Sequence, residues 1–407
     1  MVAALEQRGT VDLLWGHRVE CVDAAAEQAT SWLRPVSGGR ALALRARYVV
    51  GCDGARSPVR SGLQVAFGGS TFAQHWLVLD ALVDRPLAKV PHPHFVGDTK
   101  RPVVTLPMSP GRHRWEFMIH PGEDPAPLLD PVRLRELIAP WLSGERVDIE
   151  RAVVYTFHAR TAARWRVGRV LLAGDAAHVM PPFVGQGFSS GARDAGNLAW
   201  KLDAVLHGAP EGLLDSYEAE RRPHVRSMQR FALRWGGVVQ TTNPRLAWIR
   251  DATIELLDRS GAISRSGGRV KPLPVLVAGA FVATPGGHTS RRGAGSLFPQ
   301  TDRLDDRLGC RWAAVCASRT AADAWRAAGL YVVEHDDPWL SAHKADWALL
   351  RPDRYVFACG RAADLPQALH ALRWRIGAGL RREPPRAGAV SGMTPRRRAS
   401  EPTLRAA

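Results

Sequence analysis

The sequence predicts an α/β chain, α+β overall, and three stretches predict it. The first is RVLLAGDAAHVMPPFVGQGFSSGARDAGNLAWKLDAVL, from Arg169 to Leu206. Val170 to Ala173 is a short apolar run of the kind that forms a buried strand. Gly174 and Asp175 close it, placing a carboxylate at the strand end where open α/β sheets bind ligands. A loop with Pro181, Pro182, Gly185 and Gly187 follows. Beyond it, Ala192, Ala195, Leu198, Ala199, Leu202, Val205 and Leu206 recur at helical spacing and predict a buried apolar face. The second stretch is ALALRARYVVGCDGARSPVR, residues 41–60. Here Tyr48 to Val50 reads as a strand and Gly51-Cys52-Asp53-Gly54 as its tip. Ser57 suits an N-cap and Pro58 a first helical turn. The third is residues 67–158, where His75 to Val83, Pro102 to Leu106 and Arg114 to His120 read as antiparallel strands joined by Pro/Gly turns.

Strand, acidic tip, glycine loop and helix start together suit a flat, polar, partly anionic cofactor. The free N–H groups of a helix N-terminus and its dipole stabilise negative charge there. The plainer reading is an ordinary strand–loop–helix unit, and a lone Asp-Gly is commonly just a turn.

Composition narrows the classes. With 407 residues, 45% hydrophobic and 23% charged, the chain has enough material for two or three domains. Neither a signal peptide nor an apolar run long enough for a membrane span is present, so a cytoplasmic protein without membrane association is expected. The five cysteines have no CxxC and no His-paired metal spacing, which predicts isolated, buried, reduced thiols and no metal site. The net charge of +16 raises nucleic acid as a partner. Its arginines are scattered, with no aromatic-interleaved basic stripe, so anionic small molecules suit the charge better than nucleic acid.

Along the rest of the chain, Met1 to Leu5 reads as a helix end and Val11 to Trp15 as a strand. No glycine-rich turn follows a strand before residue 50. His158, Arg160 and Trp165 read as a hydrogen-bonded strand end packed on the sheet, or as a ligand contact. Leu213 to Gln229 reads as a polar helix through Pro223, its Arg/His cluster a solvated face. Residues 236–270 read as a helical connector with a boundary at Gly267-Gly268. Residues 271–380 form a separate unit whose Cys310 and Cys316 suit core thiols rather than thiol exchange. Residues 381–407 hold seven arginines and few apolar residues, and are expected to be disordered.

The Arg169–Leu206 stretch resembles the second flavin motif of the class A FAD-dependent aromatic hydroxylases, the p-hydroxybenzoate hydroxylase fold. Residues 41–60 resemble the Asp-Gly motif of the same flavoproteins. RPVVTLPMSPGRHRWEFMIHPGED and YTFHARTAARWRVGRVLLAGDAAH resemble the 3-(3-hydroxyphenyl)propionate hydroxylase branch. Residues 295–300 and 350–356 resemble that branch's C-terminal thioredoxin-like domain, which in the family is structural or serves oligomer contacts, so a homodimer is compatible with it. The resemblance implies a partial, three-layer FAD-binding domain from residues 1–66 and 151–235, and a substrate-binding antiparallel sheet at 67–150. It implies cofactor contacts from Asp53 and Gly54, from Gly174 and Asp175, from Pro182, and from Gly185, Gln186, Gly187, Phe188 and Ser189. Asp175 would hold the ribityl chain, with the loop and helix start along the flavin ring. Ser189 departs from the Asn often found there and reaches less far.

The same resemblance implies that NADPH or NADH reduces the FAD, that O2 adds, and that a flavin C4a-hydroperoxide hydroxylates a small phenolic aromatic such as a hydroxyphenylpropionate-type acid. It implies no catalytic acid or base by number. The GxGxxG turn that seats the FAD pyrophosphate is expected to be absent before Met1. Two alternatives stay open: a non-catalytic member that binds FAD weakly, and a hydroxylase of a larger, polyketide-like aromatic.

Overall fold

The computed structural model describes residues 2–25, 27–265, 274–282 and 293–377. After helix α1 (Val2–Glu6), strands β1 (His17–Ala24), β2 (Ala29–Pro35) and β3 (Leu42–Ala46) form an antiparallel sheet. The strand expected at Val11–Trp15 is absent, and pairing starts at His17 instead. Val11, Leu14 and Trp15 remain exposed, because no neighbouring strand offers a ladder or an apolar face to that segment. β4 (Val49–Gly51) then leads into the short helix α2 (Pro58–Gly62), capped by Ser57, whose side chain accepts from Arg60 N–H.

β5 (Phe67–Val83), β6 (His94–Val96), β7 (Val103–Pro107) and β8 (Arg112–Ile119) come next, then helix α3 (Pro131–Ile138) and β9 (Val147–Ala162). They form an antiparallel sheet in the order β12-β9-β5-β8-β7-β6, with β12 (His178–Val179) as its last edge. β9 pairs with β5 from Phe67↔Ala162 to Val83↔Val147, so it runs across the 150/151 boundary expected from the sequence. One face of this sheet packs Leu77, Leu79, Trp115 and Phe117 against Leu134 and Ile138 of α3.

β10 (Arg166–Val167) and β11 (Val170–Leu172) follow, and β11 lies parallel to β4 in a β10-β11-β4 sheet. The helices α4 (Gly187–Leu206), α5 (Asp215–Val239), α6 (Pro244–Arg259) and α7 (Ala262–Arg265) complete this half. The C-terminal unit runs α8 (Leu304–Leu308), β13 (Ala313–Cys316), α9 (Arg319–Ala327), β14 (Tyr331–Glu334), α10 (Pro338–Ala342), β15 (Trp347–Leu350), β16 (Val356–Gly360), α11 (Leu365–Ile376). Its sheet order is β14-β13-β15-β16, with β13 and β14 parallel and the rest antiparallel, a thioredoxin-like arrangement. One apolar cluster continues from Leu171 and Leu198 through Trp200 to Trp312 and Phe357, joining the two halves.

Three sequence expectations fail. On α4 the apolar stripe does not turn inward: Ala192, Ala195 and Ala199 are exposed, while Ser190, Asp194, Asn197 and Lys201 are buried beside Leu198 and Val205. Polar groups take the inward face because each of the three larger ones finds a buried partner there. On α5, Arg221 and His224 are buried rather than solvated, for the same reason. The thiols are also less buried than expected, since Cys21, Cys52 and Cys310 are exposed and Cys316 is buried. The Gly267-Gly268 boundary and the 381–407 tail lie outside the described residues.

Candidate functional site

Parallel pairing sets the site. Register Leu172↔Gly51 brings β11 and β4 out at one edge, and Ala173 N–H donates to Gly51 O at 3.0 Å. The two acidic tips therefore leave the sheet side by side. Arg60, only 6% exposed, ties them together: Nη1 donates to Ala176 O at 2.8 Å and Nη2 to Ala55 O at 2.8 Å. Its guanidinium lies 3.8 Å from the Phe67 ring centroid.

The tips differ in what they leave free. Asp53 accepts from Ser57 Oγ at 2.5 Å and from Val59 N–H at 2.9 Å, so both of its oxygens help cap α2. Gly54 adopts φ +83°, a left-handed turn that glycine takes without strain. Asp175 sits in a turn opened by Gly174 at φ +58°. Its carboxylate reaches solvent and makes no hydrogen bond to any described residue. The protein packed beside it raises its pKa, against the pull of His178.

The loop and helix start complete the edge. Pro182 is exposed, and Gly185 closes the Pro182–Val184 turn in the left-handed region at φ +60°. Gln186 precedes α4, and its carbonyl accepts from Ser190 N–H at 2.9 Å to open the helix. The amides of Gly187, Phe188 and Ser189 thus remain without backbone partners, as first-turn amides do. Phe188 is 84% exposed at this end. Ser190 Oγ is buried without a partner.

Beneath this edge lies a charge cluster that sequence reading missed. Asp194, on α4 and fully buried, accepts from His178 Nε2 at 2.6 Å, Arg221 Nε at 2.8 Å and Gly174 N–H at 3.1 Å. Burial alone would raise its pKa, but His178 and Arg221 outweigh it and hold the carboxyl below its usual value. Arg221 Nη1 also donates to His224 Nδ1 at 3.3 Å, and burial with Arg221 pushes His224 down to about 3, so that ring is neutral. The signal available in the sequence was the i, i+4, i+7, i+11 run Ser190, Asp194, Asn197, Lys201, a polar stripe at helical spacing. Deeper along α4, Lys201 Nζ meets Glu220 Oε2 at 2.8 Å and Arg351 grips Glu220 and Asp353, linking α4, α5 and the C-terminal unit.

The turn after the acidic tip also reaches the large sheet. Phe183 packs on Trp76, Phe157 and Phe72 at centroid distances of 5.5, 5.6 and 6.0 Å, and Trp76 on Phe157 at 5.9 Å. Val104, Met118 and Val239 complete this buried aromatic cluster. His158 and Arg160 contact Thr71 on the same sheet, and Trp165 is fully buried.

A free carboxylate at a parallel-strand tip with unsatisfied helix amides beside it forms an edge suited to a polar, partly anionic cofactor. Residues 1–232 match the "FAD binding domain" family and residues 306–375 the "HcaD C-terminal domain" family. The 3-(3-hydroxyphenyl)propionate/3-hydroxycinnamic acid hydroxylase of Mycolicibacterium gilvum is 36% identical over 91% of this chain and 72% of its own length. That of Klebsiella pneumoniae strain 342 is 35% identical over 91% and 74%. Among solved structures, the anhydrotetracycline hydroxylase OxyS of Streptomyces rimosus superposes with TM-score 0.70 at 26% identity, covering 90% of this chain and 76% of that one. A ternary complex of aklavinone-11 hydroxylase with FAD and aklavinone gives 0.67 at 26%, covering 88% and 74%.

The chain belongs to the class A FAD-dependent aromatic hydroxylases, in the branch of the 3-(3-hydroxyphenyl)propionate hydroxylases. It is an FAD-dependent aromatic monooxygenase. The residues present fit the cofactor: Asp175 has both oxygens free for hydroxyl groups, and three helix amides lie without partners beside it. Among the described residues, no helix is long and apolar enough to cross a membrane.

Proposed function

We propose that this chain hydroxylates a single-ring phenol bearing a short carboxylate side chain, a 3-(3-hydroxyphenyl)propionate-type acid, at the expense of NADPH or NADH and O2. Bound FAD supplies the hard chemistry, passing electrons from the nicotinamide to O2 and an oxygen atom to the ring. The protein's part is to hold, orient and keep dry. Asp175 would hold the cofactor by accepting hydrogen bonds from hydroxyl groups of the ribityl chain. The amides of Gly187, Phe188 and Ser189, with the dipole of the 20-residue helix α4, stabilise negative charge on the flavin ring. Gly174, Pro182, Gly185 and Gln186 shape the loop that would lie along the flavin ring, and Gly54 would let the second tip approach it. Asp53 serves this edge through its cap on α2.

The observation that carries the reading is the unpartnered Asp175 carboxylate beside those amides. The substrate class rests on the branch's named relatives. The test is product analysis: with FAD, NADPH or NADH and a panel of phenolic acids, the expected result is a dihydroxylated single-ring acid formed with nicotinamide oxidation. Turnover of tetracyclic phenols alone would replace this substrate assignment.

A further inference from the structure

Two polar groups at this aromatic cluster have no hydrogen-bond partner among the described residues, Trp76 Nε1 and the carboxyl of Glu116, and only Glu116 is ionisable. Glu116, on β8, lies in one cross-strand row with Val78 of β5 and Val104 of β7. Side chains two residues apart on a strand share a face, so the row on one side of it is Trp76 and Met118, and the row on the other side is Asp80, Arg114 and Leu106. Trp76, Met118 and Val104 belong to the aromatic cluster below the Phe183 turn, and Leu106 packs against it, so Glu116 sits at the edge of that cluster. Helix α5 covers the same cluster with Trp235 and Val239.

Glu116 is 7% exposed, and its carboxyl has no hydrogen-bond partner among the described residues. The nearest cation, Arg114, is already held bidentately by Asp80, through Nε at 2.6 Å and Nη2 at 2.9 Å. An ordinary core position holds an apolar side chain, because a buried carboxyl without a partner costs free energy. Such a group persists where a ligand completes its hydrogen bonds.

We propose that Glu116 is the substrate-hydroxyl group of this enzyme: it accepts the phenolic O–H of the bound aromatic and takes its proton. The phenolic O–H bond breaks, an Oε–H bond forms on Glu116, and the electron pair stays on the phenolate oxygen. The ring so charged is richer in electrons at its ortho and para carbons, which is what an electrophilic oxygen donor attacks. Glu116 suits the task because burial, opposed by Arg114 and reinforced by Asp80, lifts its carboxyl to about 7, where a general base is most effective. The other ionisable side chains around it are Arg112 of β8, held by Glu150 at 2.8 Å, and Arg151 and Tyr155 of β9, two strands away; the groups of β7 and α5 in the cluster, Val104, Leu106, Trp235 and Val239, are hydrophobic. The inference rests on the phenol-hydroxylase reading above.

The test reads the ionisation of bound substrate. The FAD-loaded protein is mixed with 3-(3-hydroxyphenyl)propionate, and the phenolate band is followed by ultraviolet difference spectroscopy from pH 6 to 9. Wild type should show the band at pH values where the free phenol is neutral. Glu116→Gln should lose it and turn over about 100-fold more slowly, with flavin absorbance per protein unchanged. Glu116→Asp should keep part of both, whereas a merely space-filling role would tolerate Gln better than Asp. Absence of the band in wild type, or an unchanged band and rate in Glu116→Gln, overturns the proposal. A wild type that hydroxylates no phenolic acid at all overturns the functional reading instead. Glu116→Leu gives a folding control, since it should unfold no earlier than wild type at pH 8.

Discussion

Replacing Asp194 by Asn should be among the most damaging single changes in the FAD-binding half. The side chain is fully buried and accepts three hydrogen bonds, from His178, Arg221 and the Gly174 amide. Asparagine keeps the shape but removes the charge, leaving Arg221, itself fully buried, facing a neutral amide. Breaking a buried ion pair from one side costs about 3–5 kcal/mol. At roughly 2–4 °C per kcal/mol for a unit of this size, the unfolding midpoint should fall by about 6–20 °C. The same change loosens the Gly174 turn that aims Asp175. The assay is thermal unfolding followed by circular dichroism at pH 7, with Glu136→Gln as a control for the exposed Arg133–Glu136 pair, worth at most about 1 kcal/mol. A midpoint within about 2 °C of wild type would refute the inference that this cluster holds the turn in place.

Three further outcomes are expected. The Asp194 carboxyl is held below its usual value, so its contribution to stability is complete above that usual value, 3.8, and is lost as pH falls through the lower folded-state value. Glu220, gripped by Arg351 and Lys201, has the same sign, so acid titration of the unfolding midpoint should fall more steeply in wild type than in a Glu220→Gln variant. A Cβ on Gly236 would come within 2.6 Å of the Phe183 ring, so Gly236→Ala should cost about 1–3 kcal/mol from overpacking. It should also raise the KM for the aromatic substrate more than it lowers kcat, measured by steady-state nicotinamide oxidation.

Much of the frame was legible locally. Val49–Gly51 and Val170–Leu172 form strands because short apolar runs end at glycine and aspartate, and Ser57 caps the helix that its spacing to Arg60 N–H predicts. His75 to Val83 declared itself as a strand, but β9 at Val147–Ala162 did not, nor did their pairing, because register depends on a partner more than 60 residues away. The inward face of α4 was misread for a related reason. Helical periodicity sorts apolar from polar residues, yet Asp194 is buried by Arg221, 27 residues onward. Lys201 is likewise buried by Glu220 and its neighbours. The charged cluster under the Gly174 turn is thus a tertiary fact, visible only once α4 and α5 are set side by side. Glu116 escaped notice because an alternating strand ordinarily sends its charged residues to solvent; here α5 covers that face.

The central claim is that Asp175 and the start of α4 seat the flavin, and equilibrium titration with FAD tests it most directly. Quenching of flavin fluorescence gives Kd for wild type and for Asp175→Ala, whose fold should be intact because that carboxylate bonds to nothing among the described residues. Loss of one charge-assisted hydrogen bond, about 1.5–3 kcal/mol, predicts a Kd raised by roughly 10- to 150-fold with an unchanged unfolding midpoint of the apoprotein. An unchanged Kd for FAD in Asp175→Ala would contradict the account.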